Sequence, residues 1–365
     1  MRKTIRAGLV GTAAAALLVS SFTLNASAAP EHTAARGKPK PPAADTLGGL
    51  GQRAGLRIGT AVDMDALAAD APYRARAAGE FTSVTPENVM KWEVVEPRRG
   101  TYDWSAADEL VDFARSNGQL VRGHTLLWHN QLPGWLTDGD FTADELRALL
   151  RKHITDQASH FKGRIWQWDV VNEAFNDDGT LRDSIWLRTL GPGYIADAFR
   201  WAHRADPRAK LYINDYNIEG VNAKSTALYD LVTELRAQGV PVDGVGIQGH
   251  LSVQYNAPHD IAANMKRFDD LGLETAITEA DVRVPMPVDS TDQEAQAEGY
   301  DVLLRGCLLT RHCTDFTVWG FTDRYSWVPD TFEGEGAANL LDENYGPKPA
   351  YQALTEDLKL AAGRK

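Results

Sequence analysis

Two kinds of pattern alternate along the chain. Short runs of β-branched and aromatic residues, with no clean polar alternation, predict strands at 57–62, 81–85, 120–125, 165–171, 210–214, 244–248, 274–278 and 316–321. Between them, apolar positions return every three or four residues and predict helices, among them 105–116, 142–160, 194–205, 223–237, 261–271 and 291–309. Two of these open on a capping-box spacing, Thr142 with Glu145 and Thr291 with Glu294. Eight strands alternating with helices over residues 46–360 predict an α/β fold, a single-domain (β/α)8 TIM barrel; a doubly wound open sheet is the other arrangement with this rhythm.

The most apolar run, Ile165 to Val171, stops on Asn172-Glu173. A strand that ends this way would carry a carboxylate to the rim where α/β proteins do their chemistry. The same dipeptide would also suit a helix start, with Asn172 as the cap. The other strand ends decide which use is meant. Glu87, Asn88, Lys91 and Trp92 follow the second strand, and His124, Trp128 and His129 close the third. Beyond the fifth to eighth come Asn214 and Tyr216, then Gln248 and His250, then Glu279 and Asp281, then Trp319, Asp323 and Trp327. Acids, amides, imidazoles and indoles gathered on one rim favour a functional site over capping.

Composition narrows the setting. A basic start (Arg2, Lys3, Arg6), a small apolar stretch and Ala26-Ser27-Ala28 read as a secretory signal peptide over 1–28, which places the protein outside the cell. Residues 29–45, rich in Pro and Ala, read as a disordered lead-in. The formal charge is −12, or −15 once residues 1–28 are removed, which argues against nucleic acid and anionic membrane as partners. No later segment is long and apolar enough to span a bilayer. Cys307 and Cys313 are close in sequence, and export would allow a disulfide across a short helix-to-strand connection. A reactive thiol is the weaker reading.

The chemistry follows from residue types. Glu173 and Glu279, on strands four and seven, would face each other across a barrel mouth, the disposition of a glycosidase's two carboxylates. Tryptophans and Tyr216 offer flat faces for sugar rings, while Asn, Gln, His and Lys offer directional hydrogen bonds. A metal site would compete for the same types. It is disfavoured because His124 and His129, five apart on a strand, should point to opposite sides, and no His-x-His or His-Glu-x-x-His pattern occurs. Phosphate-loop and Gly-x-Ser-x-Gly patterns are also absent from the sequence.

Seven segments, in order, carry a resemblance: Thr85-Pro-Glu-Asn-Val-Met-Lys-Trp92, Gly123-His-Thr-Leu-Leu-Trp-His129, Trp168-Asp-Val-Val-Asn-Glu-Ala-Phe175, Asn214-Asp-Tyr-Asn217, Gln248-Gly-His-Leu251, Ile277-Thr-Glu-Ala-Asp281 and Trp319-Gly-Phe-Thr-Asp-Arg-Tyr-Ser-Trp327. From about residue 47 to 358 the chain resembles the family 10 glycoside hydrolases, endo-1,4-β-xylanases. The resemblance implies a retaining double displacement on xylan with Glu279 as nucleophile and Glu173 as acid/base, the latter in apolar surroundings that let it hold its proton. It implies that Asn172 binds the sugar 2-hydroxyl and that His250, with Asp281 beside it, keeps Glu279 ionised. Glu87, Asn88 and Lys91 would hold the glycone side; His124, Trp128, Gln248, Trp319 and Trp327 would surround the central sugar; Tyr216 would be the aglycone platform. The implied partners are xylan and xylo-oligosaccharides, with no cofactor and no metal, acting as a monomer. Ala280 stands where the family usually has leucine, which should loosen packing behind that strand. Within residues 1–365 no carbohydrate-binding module is expected beside the barrel, since residues 30–45 are too short to be one, and a module beyond this chain stays open. A β-1,4-glucanase and a non-catalytic carbohydrate-binding barrel are the rival readings.

Overall fold

The computed structural model describes residues 42–363. The expected signal peptide and the lead-in up to residue 41 lie outside the described residues. Residues 42–45 run into a turn in which the Thr46 N–H meets the Ala43 carbonyl at 3.1 Å, and the Thr46 hydroxyl caps the helix Leu47–Ala54.

Eight parallel strands close into a barrel: β1 (Arg57–Val62), β2 (Ser83–Pro86), β3 (Leu120–Gly123), β4 (Gln167–Asn172), β5 (Lys210–Asp215), β6 (Gly244–Ile247), β8 (Glu274–Pro285) and β9 (Cys313–Val318). A short strand β7 (His250–Ser252) lies parallel beside the outer part of β8, and β10 (Glu335–Gly336) pairs antiparallel with its end. The barrel closes where β9 meets β1, with Arg57 opposite Asp315 and Thr60 opposite Val318. The barrel expectation therefore holds and the open sheet does not. β9 begins and ends three residues before the expected 316–321. Its first half carries Thr314 and Asp315, which hid it from an apolar count; the buried Asp315 carboxylate accepts a hydrogen bond from Ser83 on β2 at 2.8 Å.

Helices lie between the strands. Tyr194–Ala205 shows why: Ile195, Ala198, Phe199 and Ala202 share one face and are all buried, and each large side chain there contributes roughly 1.5–3 kcal/mol on burial. The Thr142–Glu145 capping box is present in both directions. The Thr291–Glu294 box is not. That helix starts at Ser290, and Asp289 exchanges capping bonds with Asp292 instead; an Asp cap also places its charge at the positive end of the helix. Cys307, near the end of the same helix, is joined by a disulfide to Cys313 at the start of β9. The enclosed loop is short, so its stabilising contribution is modest. Ala280 is fully buried in the core. Among the described residues no helix is long and apolar enough to cross a membrane.

Two irregularities in the barrel bear on the site at its mouth. Register against β5 slips between Asp169 and Val171 on β4, and register against β9 slips between Ile277 and Ala280 on β8. Bulges of this kind re-aim the side chains within and just beyond them. They sit at the two strands that carry Glu173 and Glu279.

Candidate active site

Glu173 is the first residue beyond β4 and has φ 56°, a left-handed conformation costing about 1–3 kcal/mol for a residue with a side chain. Its neighbours hold it there. The Glu173 N–H donates to the Asn214 carbonyl at 2.8 Å, and Arg182 donates through Nε to the Glu173 carbonyl at 3.0 Å and through Nη2 to the Phe175 carbonyl at 3.1 Å. No helix starts here, so Asn172 is a strand end and not a cap.

The two carboxylates have unlike surroundings. Glu279 is only 4% exposed. Its Oε1 accepts from Asn214 Nδ2 at 2.7 Å, and its Oε2 faces His250 Nε2 at 3.3 Å. His250 Nδ1 in turn lies 2.9 Å from Asp281 Oδ1, and the other Asp281 oxygen accepts the Trp327 indole N–H at 2.8 Å. Burial alone would push Glu279 upward, but the His250 hydrogen bond and the positive surroundings of His124, His250 and Arg122 outweigh it and bring its pKa down to about 2. Burial likewise opposes charge on His250, yet the two flanking carboxylates, Asp281 foremost, raise its pKa to about 10.

Glu173 was expected among apolar groups and is instead met by donors. Its Oε2 accepts the Trp128 indole N–H at 2.8 Å, and its Oε1 accepts from Gln248 Nε2 at 3.2 Å and from Asn172 Nδ2 at 3.4 Å. Asn172 Oδ1 accepts from Asn214 at 2.8 Å, so an amide pair bridges the two carboxylates. Asn214 reaches both Asn172 and Glu279 because Gly246 lies between β5 and β8: a Cβ there would stand 2.2 Å from Asn214 Oδ1 and 2.9 Å from Thr278 Cγ2. The opening lets Thr278 Oγ1 donate to Asn214 Oδ1 at 2.7 Å, which turns the Asn214 amide toward Glu279.

Glu173, Glu279, Trp128, Asn172, Gln248 and His250 line one cleft of about 1410 Å³ at the carboxyl ends of the strands, and Asp281 lies behind His250. At one part of the cleft, Lys91 Nζ donates to Asn88 Oδ1 at 3.0 Å and lies 5.0 Å from the Trp128 ring. Beside them, burial and the nearby Asp63 charge, partly offset by Lys91, raise Glu87 to about 7. Trp319 is 6% exposed and packs edge-on against His124 and His250. Tyr216 lines the cleft with one ring face covered. That face is taken by the buried Lys224, whose Nζ is 3.4 Å from the ring centroid and 2.9 Å from Asp215 Oδ1. Arg182 Nη2 holds the Tyr216 hydroxyl at 2.8 Å.

Three participants had no role assigned from the sequence: Asn214, seen only as a strand end, Arg182, and the buried pair Arg122–Asp169, which fixes His124 through Asp169 Oδ2 at 2.8 Å from Nδ1. A charged residue in the middle of each of two apolar strands was the available signal for that pair. The strand argument about His124 and His129 also fails, because β3 stops at Gly123 and both histidines lie beyond it. His124, Asp169 and Glu279 bring one ligand atom each within 4.8 Å of one another. The Arg122 guanidinium, bonded to Asp169, already supplies the cation that such a cluster would otherwise seek.

Comparison with known proteins agrees with this geometry. A family model described as glycosyl hydrolase family 10 matches residues 47–357. An endo-1,4-beta-xylanase of Agaricus bisporus is 47% identical over 313 residues, 85% of this chain and 93% of that protein. The crystal structure of native xylanase 10B from Thermotoga maritima superposes with a TM-score of 0.85 at 44% identity, covering 88% of this chain and 100% of that one. Xylanase 10B from Thermotoga petrophila RKU-1, solved with xylobiose, gives 0.84 at 45% identity, covering 87% and 98%. With a closed barrel, a carboxylate pair at its mouth and a match that runs almost from end to end of the described residues, the chain belongs to glycosyl hydrolase family 10.

Proposed function

We propose that this protein is an endo-1,4-β-xylanase that cleaves internal xylosidic bonds with retention, through Glu279 as nucleophile and Glu173 as acid/base. The observation that carries the assignment is the unlike bonding of two bridged carboxylates. Glu279, held ionised by His250 and Asn214, is equipped to attack; Glu173, with Trp128 and Gln248 setting its orientation, is equipped to pass a proton. In the first step a Glu279 oxygen bonds to the anomeric carbon while the leaving oxygen takes the Glu173 proton. In the second, Glu173 removes a proton from water, whose oxygen displaces Glu279 and restores the β configuration. Asn172, between the two, would hold the 2-hydroxyl where contacts strengthen at the transition state. Glu87, Asn88 and Lys91 would bind the glycone, His124, Trp128, Gln248, Trp319 and Trp327 would enclose the central sugar, and Tyr216 would carry the aglycone. The reading includes export, on the character of residues 1–28, and action as a monomer on a neutral polysaccharide. Neither metal nor cofactor is needed for these steps.

The deciding experiment is a proton NMR time course with xylopentaose. New reducing ends should appear first as the β-anomer, before mutarotation. An initial α-anomer would refute retention, and an uncut pentaose beside a cut cello-oligosaccharide would move the substrate to glucan.

A pH test follows from the same network. Glu279 is lowered, so the stability it contributes is present above its ordinary value of 4.5 and is lost as pH falls through about 2. His250 is raised, so its contribution is present below 6.5 and is lost as pH rises through about 10. A His250→Gln variant should therefore show its greatest loss of Tm, relative to wild type, between about 4.5 and 6.5, with the gap narrowing toward pH 10. The acid limb of kcat/KM should also move up by about a unit or more, because Glu279 loses its cationic partner. Superimposable pH profiles would remove His250 from this role.

A further inference from the structure

Glu219 has no part in the steps above, yet it lies at the wall of the cleft with only 5% of its surface exposed. The two cations whose charge it feels, Lys224 and His250, are bonded to other acids instead. A buried carboxylate without an ion-pair partner carries a desolvation cost. Burial accordingly raises its pKa, against its own N–H, the Gly249 N–H and the charges of His250 and Lys224. The bond that leaves its own segment is the one from Gly249, 3.0 Å from the N–H to Oε1.

Gly249 stands between the two residues that reach the carboxylate pair. Gln248 Nε2 donates to Glu173 Oε1 at 3.2 Å, and His250 Nε2 faces Glu279 Oε2 at 3.3 Å. The peptide joining Gln248 to Gly249 is held at both ends: its carbonyl accepts the Glu279 N–H at 2.8 Å, and its N–H donates to Glu219. Gly249 has φ 82°, and without a Cβ its own sterics do little to stop this peptide from turning. Outside bonds must therefore set the plane. Glu219 is itself braced from the helix Ile261–Asp270, where Asn264 Nδ2 donates to the Ile218 carbonyl at 2.6 Å and to the Glu219 carbonyl at 3.1 Å.

We propose that Glu219 is a positioning residue for the reaction, pinning the Gln248–Gly249 peptide so that Gln248 is held on Glu173 and His250 on Glu279. The inference rests on the xylanase reading, with the two glutamates in their assigned roles. Reach is what the site asks of this side chain, since an acceptor oxygen at hydrogen-bond distance fixes the peptide whether or not it is charged. Once released, the peptide would turn, and one movement would displace a partner of each carboxylate.

The test uses the mature protein and its Glu219→Gln, Glu219→Asp and Glu219→Ala variants on xylohexaose, well below each Tm, with circular dichroism as the control for folding. The first keeps an oxygen in reach of Gly249 without the charge, the second keeps the charge but is one methylene short, and the third keeps neither. In Glu219→Asp and Glu219→Ala kcat should fall about ten- to a hundredfold with KM changed less than about twofold. Their acid limb of kcat/KM should also move up by roughly half a pH unit or more, as His250 leaves Glu279. Glu219→Gln should stay within about threefold of wild type, with its acid limb in place. Where Glu219→Ala does not fold, the order of the other two decides. The inverse order, with Glu219→Asp active and Glu219→Gln impaired, would assign the role to charge and overturn the inference. So would a lower Tm with kcat and pH profile unchanged in every variant, or a rise in KM alone, which would make Glu219 a substrate contact. Wild-type protein that leaves xylohexaose uncut would overturn the xylanase reading itself, a result distinct from any pattern among the variants.

Discussion

Glu279→Ala should lose turnover on xylan by on the order of 10^5-fold or more while keeping its fold. The side chain is the acceptor for Asn214 and His250, and it is aimed by the bulge between Ile277 and Ala280. Its removal takes away the atom that would bond to the anomeric carbon, and no neighbour on β8 can replace it. Folding should survive, because the barrel ladders on both sides of β8 are made by backbone groups. Circular dichroism near that of wild type, with residual activity too small to measure on xylan, is the expected outcome. Azide should then restore activity on an aryl xylobioside and yield the α-xylosyl azide, because the anion enters from the face that Glu279 has vacated. A variant that keeps about a hundredth of wild-type turnover would remove Glu279 as nucleophile.

Glu173→Ala should separate substrates by their leaving groups. On xylan, where the departing alcohol needs a proton, the loss should be about 10^2- to 10^4-fold. On a dinitrophenyl xylobioside, which departs unaided, bond breaking should be nearly unchanged. The second step would then limit the rate, since water has lost its base. A burst of dinitrophenol, a slow steady state and a reduced KM should be seen together. Equal losses on both substrates, without a burst, would count against Glu173 as the acid.

How far the sequence could be read depends on how each residue works. Barrel periodicity was legible because each apolar run fills one strand, and Glu173 and Glu279 because they stop such runs. β9 was misplaced because Thr314 and Asp315 at its start are polar, and yet Asp315 is buried, its carboxylate bonded to Thr317 and to Ser83. Asn214 was visible as a strand end, but its two hydrogen bonds, to Asn172 and to Glu279, depend on the opening at Gly246, which only three-dimensional packing reveals. The donors around Glu173 were equally hidden: Trp128 reads as an aromatic face, while the structure uses the edge that carries its N–H. Asp289 shows the same limit at a helix start, where an acid two residues earlier took the capping position from Thr291.

Barrel closure has a consequence for synthesis. β1 finds its second neighbour only when Cys313–Val318 exists. At roughly 5–20 residues per second, that leaves the first strand with one bare flank for some tens of seconds. A nascent or prematurely terminated chain would expose unpaired N–H and C=O groups beside apolar side chains, a template for association with other copies. Products truncated before residue 313 should therefore accumulate as aggregates or be degraded. Yield of this protein in a host should respond to chaperone supply and translation rate more than to the stability of the finished barrel.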